Sequence, residues 1–319
     1  MKRSRGLVLL LISIILATAL TVRGAEQKVN VMVLSGNTGL ATVKMMEQAE
    51  QQKSRYNFQV FNNPNLLLGK IISGEADIAA LPTNTAAILY NRGAEIQLAS
   101  VIGWGVMYFV GSDATIKKWT DLKGKGLGVT AKGAVPDLVL QYLLKQNGID
   151  PEKDVKLNYV ASPVELAQLV IAGKIALAAL PEPWVTEVLV QSPKNKVLLD
   201  FQQEWGRIQK QSPLYPQSCI VVNRKLVERN PLLVKEFLKE LESSIAWIHR
   251  NPKQGGILAE KYVQVSPIAI EKGLQRCNLK YSLGFEVKAE VDSFLKVLNE
   301  VDPAATGGKL PDAAFYYQP

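Results

Sequence analysis

Four short loops concentrate the residues able to do polar chemistry: SGNTG (35–39), LPTNT (81–85), TAKGAVP (130–136) and LPEPWVT (180–186). In the first, Ser35, Asn37 and Thr38 place two hydroxyls and a carboxamide at the start of a helix. In the second, Thr83, Asn84 and Thr85 do the same. The third sets Thr130, Lys132 and Gly133 where an anionic group could be met. The fourth carries Glu182, able to accept from a ligand amine, and Trp184, able to stack on a planar solute or cover an aliphatic one. Helix starts expose unpaired N–H groups and the positive end of a dipole, so the expected chemistry is capture of a polar or anionic solute. Each side chain also has a plain structural use. Ser35, Asn37 or Thr38 can cap a helix, Lys132 can stand in solvent, Glu182 can point outward and Trp184 can pack between lobes. Trp104, on a later apolar stretch, is either a packing residue at a crossing between lobes or a wall of the cleft.

Other chemistries find less support. A phosphate loop needs Gly-Lys-Ser/Thr at its end, and Lys44 lies a full turn too far from SGNTG; a dinucleotide turn needs a third spaced glycine. His249 is the chain's one histidine and belongs to the last turn of a long helix, on its surface. No Ser/His/Asp set forms around it, no CxxC is present for zinc, and Cys219 and Cys277 have no base nearby. These two cysteines could pair in an oxidising compartment or remain free buried thiols.

The elements that position the loops occur twice. MVLSGNTGLATVKMM aligns with LGVTAKGAVPDLVLQYL at an offset of 97. PNLLLGKIISGEADIAALPTNTAAIL aligns with PVELAQLVIAGKIALAALPEPWVTEVL at an offset of 99, matching Pro64 to Pro163 and Gly74 to Gly173. Each copy reads strand, helix, strand, helix, strand, helix. The predicted strands are 29–34, 57–61, 77–80, 126–130, 155–159 and 177–179; the predicted helices are 40–51, 66–73, 85–91, 135–146, 163–172 and 185–190. Short apolar strands alternating with helices imply an α/β protein with two mainly parallel sheets, and ligands bind outside the carboxyl ends of such strands. If the sheets face each other, all four loops line one cleft.

Two further apolar stretches, 96–112 and 218–227, would carry the chain to the second lobe and back. The expected organisation is therefore an export segment (1–25), a first lobe (26–107 with 219–319) and an inserted second lobe (108–218). Two crossings would form a hinge able to close on a ligand. The export segment has Lys2, Arg3 and Arg5, an apolar run from Leu7 to Leu20, and small residues near Gly24. That is the layout of a signal peptide, cleaved or kept as an anchor. Without residues 1–25 the chain holds 33 basic against 29 acidic residues, so half of its net charge of +8 belongs to the leader. No basic block with interleaved aromatics marks a nucleic-acid partner.

With these residues in view, the chain resembles substrate-binding proteins of ABC importers, in the nitrate/sulfonate/taurine and thiamine-precursor group. The carriers are DLKGKGLGVTAKGAVPDLVLQYLLKQNGIDPEKDVKLNYV and LPEPWVTEVL; RCNLKY (276–281) and the terminal GGKLPDAAFYY look like features of a narrower branch. The resemblance implies a two-lobed type II periplasmic-binding fold and an extracytoplasmic receptor, monomeric and without a cofactor. It would pass a small solute to a permease and ATPase. Many relatives are lipoproteins, whereas no cysteine stands at the expected cleavage point here. The rivals are an enzyme on the same fold, of the thiamine-pyrimidine synthase or menaquinone-pathway lyase kind, and a ligand-sensing ectodomain.

Overall fold

Val31 and Val33 are wholly buried in β1 (Val29–Leu34), as the middle strand of a covered parallel sheet requires. The computed structural model describes residues 28–51, 54–210 and 212–319; the expected export segment lies outside them. Around β1 the first repeat adds β2 (Tyr56–Phe61) and β3 (Ile78–Pro82), both parallel to it. Its helices are α1 (Asn37–Leu40), α2 (Val43–Gln51), α3 (Pro64–Ile72) and α4 (Thr83–Asn91). The single helix expected over 40–51 is thus split. Thr42 is the reason, because its N–H and its hydroxyl both turn back onto the Gly39 carbonyl at 2.9 Å.

The second repeat reproduces the first with β6 (Gly126–Thr130), β7 (Lys156–Val160) and β8 (Leu177–Pro181), again parallel. Its helices are α5 (Val135–Gln146), α6 (Pro163–Ile171) and α7 (Trp184–Gln191). The duplication extends to helix ends. Asn63 and Ser162 cap α3 and α6 with their side chains, Pro64 and Pro163 occupy the first helical position, and Gly74 and Gly173 follow at φ 75° and 72°.

The remaining strands run antiparallel, so both sheets are mixed. β4 (Ile96–Trp104) and β10 (Pro216–Asn223) extend the first sheet, in the order β11-β4-β10-β3-β1-β2 with β11 (Leu279–Leu283) at its edge. β5 (Met107–Gly111) and β9 (Lys196–Asp200) extend the second, in the order β7-β6-β8-β5-β9. In each sheet the strand beside the repeat's third strand is the one that has just arrived from the other sheet. The chain passes between sheets at Gly105–Val106 and returns between α8 (Phe201–Gln209) and β10.

Both passages are tied down. Gln202 accepts from Met107 N–H and donates to the Met107 carbonyl, both at 3.0 Å, and Gln217 Oε1 accepts from Val106 N–H at 2.9 Å. Trp205, Tyr215 and Phe294 pack beside them, Tyr215 and Phe294 stacked with centroids 5.4 Å apart. Phe294 comes from the late helix α13 (Lys288–Val301), which reaches across from the first lobe.

After β10 the chain forms α9 (Arg224–Arg229), α10 (Pro231–Arg250), α11 (Pro252–Val263) and α12 (Pro267–Gly273). Leu233, Phe237, Leu241, Ile245 and Ile248 of α10 are buried at helical spacing against the first sheet's core. His249 is exposed in the last turn, its Nε2 set 2.7 Å from the Leu279 carbonyl. α12 packs on α7, so one apolar core runs from Val31 through Trp184 and Val185 to Ile270 and joins the two lobes. Among the described residues no helix is long and apolar enough to cross a membrane.

Candidate functional site

The carboxyl ends of β1, β3 and β8 converge on a cavity of about 110 Å³. Leu34, Ser35, Asn37, Thr38, Pro82, Gln217 and Ser218 line it from the first lobe, and Pro136, Pro181 and Glu182 from the second, with Val106 of the crossing between them.

SGNTG supplies most of the first lobe's polar surface. Ser35 Oγ donates to the Val263 carbonyl at 2.6 Å, and Thr38 Oγ1 donates to the Leu34 carbonyl at 2.9 Å while accepting from Leu34 N–H at 3.2 Å. The Thr38 hydroxyl is thus committed to its own turn and the Ser35 hydroxyl to the end of α11. Asn37 Nδ2 donates to the Cys277 carbonyl at 3.0 Å, leaving Asn37 Oδ1 buried without a partner. Gly36 has φ 92° and no side chain, and the indole Nε1 of Trp184 lies 3.2 Å from where its Cβ would sit. A buried Trp184 therefore closes the second lobe onto the first, which makes it an interlobe packing residue outside the cavity lining.

LPTNT is spent differently. Thr83 is wholly buried, and its hydroxyl has no partner. Thr85 contacts its neighbour, Oγ1 to Asn84 Oδ1, at 3.4 Å. Asn84, wholly buried, reaches the other lobe: Oδ1 accepts from Val135 N–H, and Nδ2 donates to the carbonyls of Gly133 and Ala305, all at 3.1 Å. It bridges α4 to the start of α5. Asn84→Ala would leave a buried N–H and two carbonyls unpaired, with an expected loss of about 1–3 kcal/mol. Chemical denaturation reads the loss, and faster hydrogen exchange at Val135 locates it; unchanged exchange there would show that the bridge does not hold α5.

TAKGAVP does not reach the cavity with the side chains expected. Thr130 is buried with an unpartnered hydroxyl. Lys132 is exposed, its Nζ 5.3 Å from the centre of the Tyr159 ring. Gly133 N–H donates to Asp137 Oδ2 at 2.8 Å, and Tyr159 donates its hydroxyl to Asp137 Oδ1 at 2.8 Å. Asn84 therefore satisfies the Val135 N–H at the start of α5, and Asp137 the Gly133 N–H of the turn before it. Pro136 is the residue of this loop that touches the cavity.

Glu182 neither points outward nor stands free. It is 1% exposed, and its Oε1 accepts from Arg276 Nε at 2.6 Å and from the Thr186 hydroxyl at 2.9 Å. Its Oε2 accepts from Thr186 N–H at 3.0 Å, which caps α7. Burial raises the Glu182 carboxyl above its usual range, against the opposing pull of Arg276 and Thr186. Arg276 also donates to Thr186 Oγ1 at 2.6 Å.

The RCNLKY segment thus forms a belt across the junction. Besides Arg276, Asn278 Nδ2 donates to the Gly105 carbonyl at 2.6 Å, and the Lys280 carbonyl accepts from Trp104 Nε1 at 3.1 Å. Trp104 is packed between β4 and β11, away from the cavity wall. Cys219 and Cys277 are free and fully buried; burial pushes the Cys219 thiol up to about 12 and the Cys277 thiol well above its usual range. Thiol titration at pH 8 is expected to find no fast-reacting cysteine in the native protein and both after unfolding. A fast native equivalent would overturn that placement.

Of the loop residues singled out by sequence, Ser35, Asn37, Thr38 and Glu182 meet at the cavity. Thr83, Asn84, Thr85, Trp104, Thr130, Lys132, Gly133 and Trp184 do not line it. Sequence reasoning missed Gln217 and Ser218, at the start of β10, and Arg276. β10 reads as a plain apolar strand after Ser218, so only its position beside β3 brings those two polar residues to the cleft. RCNLKY had been noticed as a motif, yet nothing local gives Arg276 its partner 94 positions away.

Residues 42–264 match the family described as "ABC transporter, phosphonate, periplasmic substrate-binding protein". YtlA of Bacillus subtilis is 21% identical over 218 residues, which are 66% of this chain and 63% of YtlA, so the chain spans less than two thirds of that relative's length. A crystal structure of an ABC transporter from Parabacteroides distasonis is similar with a TM-score of 0.75 and 27% identity, over 92% of this chain and 99% of that one. The periplasmic aliphatic sulphonate binding protein SsuA of Escherichia coli has a TM-score of 0.71 at 19% identity, over 92% of each chain, and shares the fold.

Proposed function

The chain belongs to the ABC-transporter phosphonate periplasmic substrate-binding family, and from that premise we propose that it captures a small polar solute between its lobes and delivers it to a membrane permease and ATPase. The observation that carries this reading is the cavity at the carboxyl ends of the strands, walled by residues of both lobes. Closure around a solute requires that the solute bind the closed arrangement better than the open one. Gly105–Val106 and the connection from α8 to β10 are the segments about which the lobes would move. The receptor would act outside the cytoplasm as a monomer, without nucleic acid or cofactor. An enzymatic role has less support, because both thiols are buried and the His249 ring is held at the Leu279 carbonyl, far along the chain from the cleft loops.

A thermal-shift and calorimetric screen against nitrate, methanesulfonate, methylphosphonate, pyrimidines, amino acids and small amides tests the reading. A solute at a hundredfold excess over its Kd should add about 2.7 kcal/mol of stability. Ser218→Leu, which fills the cavity, should abolish the effect. A solute that stabilises that variant equally would place binding elsewhere.

A further inference from the structure

The cavity's side chains keep few polar atoms for a solute. Those of SGNTG are spent on the protein: Ser35 Oγ on the Val263 carbonyl, Thr38 Oγ1 on Leu34 and Asn37 Nδ2 on the Cys277 carbonyl. Both Glu182 oxygens are taken by Arg276 and Thr186. There remain Gln217 Nε2 and Ser218 Oγ, on adjacent residues of β10 that bound the cavity, neither of them hydrogen-bonded to a described residue. Neither belongs to the buried side-chain atoms that are sealed without a partner. Ser218 Oγ occupies the space that a side chain at Gly103 would need.

Chemistry fixes the orientation of Gln217. Its Oε1 accepts from Val106 N–H at 2.9 Å, which only the oxygen of a carboxamide can do, so Nε2 is directed away from Val106. Val106 is where the chain crosses to the second lobe, and its carbonyl accepts from Glu182 N–H at 2.9 Å. Gln217 itself stands just after the return crossing. One side chain thus meets the cavity, the outgoing crossing and the returning one. Gly105, next to Val106, holds φ 64° where Gln202 Cγ would lie 2.7 Å from a Cβ, so this crossing admits no side chain and keeps one backbone path. Beyond Val106, Glu182 continues the connection to Thr186 and Arg276. Two sites are coupled when both bias one element with two arrangements, and the Val106 crossing is placed to be that element.

On the receptor reading above, we propose that Gln217 couples the solute to the hinge: its Nε2 donates to an oxygen acceptor of the solute while its Oε1 holds Val106. Occupation of the cavity then steadies the crossing in the closed arrangement. The solute is one that presents an oxygen acceptor to β10. Ser218 adds affinity without holding the crossing.

The test joins calorimetric titration of the protein to amide hydrogen exchange at Val106, using nitrate, methanesulfonate, methylphosphonate, acetamide, cytosine and glycine, with methylammonium as the probe that has no acceptor. The wild type should bind at least one acceptor-bearing probe, which at saturation should slow Val106 exchange by about tenfold. Gln217→Glu keeps an oxygen on Val106 and loses the donor. It should bind that probe about tenfold more weakly, while its Val106 exchange without probe stays as in the wild type. Gln217→Met, which serves if the first variant does not fold, loses both contacts; it should weaken binding and also raise Val106 exchange without probe by about tenfold. Ser218→Ala should weaken binding yet keep the slowing at saturation. A probe that binds without slowing Val106, or that binds Gln217→Glu as tightly as the wild type, would overturn the coupling and leave the receptor reading standing. Binding of methylammonium alone would do the same. No binding of any probe would overturn the receptor reading and the coupling with it.

Discussion

Replacing Arg276 by methionine is expected to cost about 3 kcal/mol of stability, the low end for breaking a buried ion pair. The low end applies because the Arg276 side chain keeps 36% of its surface, while that of Glu182 keeps none. Its removal strands a carboxylate in a core that offers only the Thr186 N–H and hydroxyl in compensation. The loss should depend on pH in a definite direction. Burial first of all raises the folded-state pKa of Glu182 above its ordinary value of 4.5, and Arg276 opposes the rise. A carboxyl raised on folding contributes stability that is complete below its unfolded value and is lost as pH rises through the folded one. Without Arg276 the folded value climbs further. The deficit of the variant should therefore be small near pH 4 and full at neutral pH, and adding Glu182→Gln should recover most of it. Urea denaturation at several pH values measures this; a deficit independent of pH would show that Glu182 is not the group left uncompensated.

Trp184→Ala should be at least as damaging, about 3–5 kcal/mol for emptying a buried indole site. The indole is 5% exposed and covers Gly36. Since Gly36 belongs to one lobe and Trp184 to the other, the lobes can relieve the void by parting. Part of the effect should then show as an increased radius of gyration in X-ray scattering and as weaker solute binding, and the remainder as lower denaturation stability. Gly36→Ala should produce the same opening from the other side, because a Cβ there meets the indole and the residue must hold φ 92°. If Trp184→Ala loses stability with no change in scattering and Gly36→Ala loses nothing, Trp184 is merely a core residue of its own lobe.

Much of the frame was legible in the residues because each signal is local. The strands 29–34 and 126–130 and the helix 135–146 occur at the predicted positions, since apolar runs bounded by glycine or proline need no distant partner to be recognised. The two copies also take matching strand orders, β2-β1-β3 and β7-β6-β8, as copies of one unit should. The antiparallel strands β4, β5, β9, β10 and β11 were not placed by it. They lie outside the paired segments, and their sheet membership depends on where the chain crosses.

The site divides in the same way. Sequence alone determined that four polar loops stand at helix starts, because the loops and their helices are contiguous. Tertiary structure alone decided which donors remain for a solute. Asn84 is a competent helix cap by composition, yet it caps a helix 51 residues away, and Glu182 meets Arg276 across 94. Such pairings satisfy buried polar groups whose cost is incurred only once the two lobes exclude water between them. Local spacing carries no record of that event, so the residue types announce a polar cleft while the packed lobes select its occupant.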